Sequence, residues 1–103
     1  MSLTGKLLGN CEAFIYNLVY DIDVRMLFIE CINDPDTEQP DLRIVFPEIL
    51  SYSETSEQSK PDDEHIDDIV LIDEIEKGKI AIQTYKKRIE ISLTGEPFTE
   101  DID

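Results

Sequence analysis

Apolar residues in this chain recur at every second position in short runs, a period that belongs to strands rather than helices. Acidic and proline-containing breaks separate the runs. In 11–20, Phe14, Tyr16, Leu18 and Tyr20 fall on one face and Ala13, Ile15, Asn17 and Val19 on the other. In 24–32, Val24, Met26, Phe28 and Glu30 alternate with Arg25, Leu27, Ile29 and Cys31. The short break Asp21-Ile22-Asp23 joins the two, which predicts a β-hairpin with a turn of two or three residues. A hairpin centred near Ile22 pairs position 11 with about 33.

The stretch 33–41, with Pro35 and Pro40 among Asx residues, is a loop by its turn chemistry. A third strand is predicted over 42–50. Pro47 has no N–H for a ladder, so it puts this strand on an edge or breaks it there. The polar, serine-rich stretch 51–64 is expected to be a mobile acidic surface loop. Residues 65–76 fit two patterns. Ile66, Ile69 and Val70 would suit a helical face behind an acidic first turn, whereas the β-branched run Ile69-Val70-Leu71-Ile72 favours a strand at 68–75. Glu76-Lys77-Gly78-Lys79 reads as a turn. Ile80, Ile82 and Thr84 then alternate with Ala81, Gln83 and Tyr85. After the basic turn Tyr85-Lys86-Lys87-Arg88, Ile89, Ile91 and Leu93 point inward and Glu90 and Ser92 outward. Gly95-Glu96-Pro97 is expected to end the ordered chain, leaving 96–103 as a frayed tail.

These runs predict one small domain over 1–103, mainly β. About six strands form an antiparallel meander that curls into a barrel or a two-layer sandwich. Helices at 2–8 and 62–76 would make the class α+β instead. The aromatic residues Phe14, Tyr16, Tyr20, Phe28 and Phe46 sit on alternating positions and are expected in the core.

Charge adds what periodicity does not. The chain carries 24 Asp and Glu against 9 Lys and Arg, a net charge of −15 on 103 residues. Ten of the carboxylates lie in 54–76 against a single lysine. Such a field repels nucleic acid and anionic membrane and attracts basic surfaces. No run approaches the ~20 apolar residues of a membrane span. No basic region followed by an apolar one marks a signal peptide, so the expected location is the cytoplasm, with Cys11 and Cys31 as reduced thiols not bonded to each other.

No motif names a reaction. Asp34, Asp36 and Glu38 alternate like the start of a calcium loop, but Gln39 replaces the glycine of the sharp turn and Val45 stands where a bidentate glutamate is needed. His65 lies in the most polar stretch while both cysteines lie in apolar runs, so no Cys–His nucleophile pair and no zinc ligand set is expected. Glu30, Glu48 and Glu90 interrupt strand patterns and are expected to face solvent at an edge rather than work in a cleft. No Gly-rich phosphate loop is present. Lys86-Lys87-Arg88 with Lys77 and Lys79 is the one basic cluster and reads as a charged turn that balances nearby acid.

The expectation is therefore a non-enzymatic acidic protein-binding domain, of the kind found in inhibitors and immunity-type proteins, that engages a basic protein partner without cofactor or metal. Its electrostatic contact residues would be Glu54, Glu57, Asp62, Asp63, Glu64, Asp67 and Asp68. A small-ligand-binding β-domain or enzyme and a homodimer formed through an edge strand are the alternatives.

Overall fold

The computed structural model describes residues 2–9, 14–32, 36, 39–56 and 67–102. Within them lie a short helix, α1 (Thr4–Leu8), and eight strands: β1 (Phe14–Asp21), β2 (Met26–Ile32), β3 (Leu42–Phe46), β4 (Ile49–Ser56), β5 (Ile69–Glu76), β6 (Lys79–Thr84), β7 (Lys87–Leu93) and β8 (Phe98–Asp101). They form two four-stranded antiparallel sheets, β1-β2-β3-β8 and β4-β7-β6-β5, and no closed barrel.

Each sheet is a three-strand meander completed by a strand from the other half of the chain. β4 leaves the first meander to pair with β7, and β8 leaves the second to pair with β3. The two crossovers lie against each other. Pro47 ends β3, Glu48 takes a left-handed conformation (φ 54°), and its carbonyl accepts the Thr94 N–H at 3.1 Å. A Cβ on Gly95 would come within 2.9 Å of Pro47 Cγ and 3.0 Å of Pro47 O, so this close approach requires glycine.

The core lies between the sheets. Leu27, Ile29, Cys31, Leu42, Ile44 and Phe46 from the first sheet meet Ile49, Ile69, Ile72, Ile80, Ile82, Ile89, Ile91 and Leu93 from the second. The alternation in β2, β6 and β7 runs as the sequence predicts, and residues 69–76 are strand rather than helix. α1 adds Leu7 and Leu8, packing against β3, β5 and β8. It is held to the β5 edge by Leu3 N–H donating to Ile72 O (2.7 Å) and Ile72 N–H donating to Thr4 Oγ1 (2.9 Å). β1 begins against the start of β5, where Ile15 N–H donates to Asp67 O. It ends near β4, where Tyr20 stacks on Tyr52 with ring centroids 4.6 Å apart. Since β4 and β5 are opposite edges of their sheet, β1 crosses that sheet's strands rather than following them.

Several expectations need correction. There are eight strands rather than about six. The loop expected over 51–64 does not start at 51: Ser51–Ser56 continue β4 and pair with β7, and 57–64 lie outside the described residues. The tail expected to fray over 96–103 contains β8, paired with β3 from Val45↔Phe98 to Leu42↔Asp101. The hairpin turn is wider and shifted. Asp21 Oδ1 accepts the N–H groups of Asp23 and Val24, Arg25 sits at φ 56°, and strand pairing resumes at Asp21↔Met26. A register shift between Ile15 and Asn17 breaks the predicted alternation of β1. Ile15, Leu18 and Tyr20 therefore pack on the core while Tyr16 is 49% exposed. Register shifts fall only in β1, β4 and β5, all edge strands.

Candidate functional site

The described part of the predicted acidic contact set lies at one end of the second sheet. That end carries the last residues of β4, the hairpin between β6 and β7, and the start of β5, through the pairs Ser56↔Lys87 and Ile69↔Thr84. Glu54 on β4 forms an ion pair with Lys87 Nζ at 3.2 Å. Asp67 is half-buried with its carboxylate turned onto the hairpin. Oδ1 accepts the Lys86 N–H at 2.9 Å and Oδ2 accepts the Thr84 hydroxyl at 3.0 Å. Thr84 is buried, and its Oγ1 also accepts the Lys87 N–H at 2.9 Å and lies 3.0 Å from Lys87 O. Asp67 therefore closes this turn from outside, where the Tyr85-Lys86 step has no glycine. The backbone carbonyl of Asp68 accepts the Tyr85 N–H at 2.9 Å. Glu57, Asp62, Asp63 and Glu64 lie outside the described residues, as do His65 and Cys11.

Lys86, Lys87 and Arg88 thus sit beside Ser56 and Asp67, whereas Lys77 and Lys79 lie at the opposite end of the sheet, at the β5–β6 turn. Lys87 meets Glu54, and Arg88 Nε lies 3.9 Å from Glu90, an exposed residue on the outer face of β7. Burial, and behind it the Glu54 charge, pushes the Tyr52 phenol above its usual value.

A second surface, absent from the sequence reading, covers the outer face of the first sheet. Strand register aligns Asn17, Glu30, Arg43 and Glu100 in one row across β1, β2, β3 and β8. Asn17 Nδ2 donates to Glu30 Oε1 (3.3 Å), and the Arg43 guanidinium reaches Glu30 and Glu100 at 3.2 Å each. Hydrogen bonds donated to Glu30 first and Glu100 second hold the Arg43 guanidinium even more firmly protonated than usual. The neighbouring row is apolar: Val19, Phe28, Val45 and Phe98. Phe28 is therefore an outer-face residue, not the core aromatic that alternation predicts, whereas Phe46 is fully buried in the core. Glu30 likewise lies on a central strand within the charge row rather than at an edge. The one sequence signal for this surface is that β2 is apolar on both faces, with Phe28 and Ile32 opposite Leu27 and Ile29.

Cys31 is a fully buried thiol on β2. Among the described residues, no group of three or more His, Cys, Asp or Glu side chains could hold a metal ion, and no helix is long and apolar enough to cross a membrane. No protein-family model, curated protein or solved structure matches this chain.

Proposed function

We propose that this chain is a non-enzymatic acidic protein-binding domain that engages a basic protein partner, in the manner of inhibitors and immunity-type proteins. The observation that carries the reading is the net charge of −15, with ten carboxylates and one lysine in 54–76. A field of that density raises the rate of encounter with a cationic surface and opposes polyanions. Two members of the expected contact set are engaged within the fold, Asp67 on the hairpin and Glu54 on Lys87. The electrostatic role therefore rests mainly on Glu57, Asp62, Asp63, Glu64 and Asp68. Self-association through an edge strand would bring two such charges together, which disfavours a homodimer. The buried Cys31 thiol is compatible with a reducing compartment, which supports a cytoplasmic location.

The test is stopped-flow association with the basic protein recovered by affinity capture from the native host, across a salt series. The on-rate is expected to be fast at low salt and to fall steeply as the Debye length shortens from ~30 Å at 0.01 M to ~8 Å at physiological strength. Neutralising Glu57, Asp62, Asp63 and Glu64 to their amides is expected to slow association. A salt-independent on-rate, or an amide variant that associates as quickly as the original chain, would leave the acid as a solubility device.

A further inference from the structure

We infer that the partner's principal contact is the outer face of the first sheet, which takes a cationic segment carrying an apolar stripe; this rests on the basic-partner reading above. Val19, Phe28, Val45 and Phe98 stand in direct cross-strand register on β1, β2, β3 and β8. At about 4.8 Å between strands the row runs roughly 14 Å. Val19 and Phe98 at its ends are 44% and 43% exposed, Phe28 is half-buried, and Val45 between the two phenylalanines is buried. Isolated exposed apolar residues are ordinary, but an aligned row across every strand of a sheet is a contiguous patch. A solvated antiparallel face normally reads polar at such positions.

The surroundings specify the occupant's charge. Asp21, Glu30 and Glu100 lie on this same face with Arg43, three carboxylates to one guanidinium. Arg43 is held by both Glu30 and Glu100, so its charge is cancelled locally and offers little to an anion. A surface depression of about 280 Å³ opens between the two rows, lined by Asn17, Val19, Phe28, Glu30 and Arg43. An apolar side chain entering it lies on Phe28 and Val19, and a neighbouring lysine or arginine finds the Glu30 carboxylate at the rim and the Phe28 ring beneath it. A second copy of this chain would bring another −15 to the same place, which leaves a cationic partner as the complementary occupant.

The experiment compares two probes of equal length and charge, an amphipathic Lys–Leu peptide and a Lys–Ser peptide, titrated into the full chain at low and physiological salt. The Lys–Leu peptide is expected to bind at least about tenfold more tightly, and a Phe28→Ser variant to lose about that factor. Amide shift changes on the unaltered chain are expected to centre on Val19, Phe28, Val45 and Phe98. Phe98→Ser, on an exposed edge strand, serves as the second variant if Phe28→Ser perturbs folding by circular dichroism. Equal affinity for both peptides, or shifts centred on 54–68, would overturn this docking face while leaving the electrostatic reading standing. Failure of both peptides to bind at low salt would overturn the two together.

Discussion

Asp67 separates a structural carboxylate from a merely repulsive one, and two substitutions at this position distinguish them. Were Asp67 only part of a crowded acidic surface, Asn and Ala would relieve repulsion equally and both would stabilise slightly. The hydrogen bonds predict a different order. In Asp67→Asn the remaining oxygen still accepts the Lys86 N–H, and the new amide can donate to Thr84 Oγ1, which turns its own proton to Lys87 O at 3.0 Å. The cost is the loss of charge assistance, about 0.5–1 kcal/mol, partly offset by relieved repulsion. In Asp67→Ala, Thr84 keeps Lys87 O, but the Lys86 N–H loses its acceptor. That costs about 1–3 kcal/mol, a substantial part of the ~5–15 kcal/mol that holds a domain together. With an m-value of about 1–2 kcal/mol/M, the alanine midpoint in urea falls by roughly 0.5–3 M, and the asparagine midpoint by less than about 1 M. The assay is urea unfolding followed by far-UV circular dichroism, with Glu76→Gln as an exposed charge control expected within about 0.5 kcal/mol. An alanine variant as stable as the original chain, or more stable than the asparagine one, refutes the capping role.

Two further outcomes follow from the packing. The Tyr52 phenol is raised by burial and by Glu54, so its stabilisation is complete below the ordinary tyrosine value near ~10 and is lost as pH rises through the higher folded value. Stability measured from pH 8 to 11 should therefore decline at the alkaline end, and Tyr52→Phe should flatten the part of that decline due to this ring; an unchanged slope would assign it elsewhere. Gly95→Ala should cost about 1–3 kcal/mol, because the added methyl meets the ring and carbonyl of Pro47, and a midpoint within 0.5 kcal/mol of the original would mean that the two crossovers do not abut.

The sequence by itself determined where an apolar face had to be. Leu27-Ile29-Cys31, Ile80-Ile82-Thr84 and Ile89-Ile91-Leu93 carry the period of a half-buried strand, and each buries those residues. The same logic favoured strand over helix for 68–75, found as Ile69–Glu76, and left Pro47 either on an edge or as a break; the chain breaks there, with β3 interior between β2 and β8. The acidic bias was equally open to view. Tertiary structure alone decided what depends on a neighbour. Phe98–Asp101 is exposed throughout, half acidic and too short to show an alternation of its own; it is a strand because β3 supplies the ladder. Ser51–Ser56 is strand for the same reason beside β7. The exchange of β4 and β8 between two meanders pairs segments far apart in the chain, and no sequence repeat announces it. Side-chain periodicity cannot say which strand lies alongside. That choice also turned Asp67 onto a hairpin and aligned Val19, Phe28, Val45 and Phe98 in one row. Burial is written in the local alternation of side chains, whereas hydrogen-bond partners and cross-strand neighbours exist only once distant segments have met.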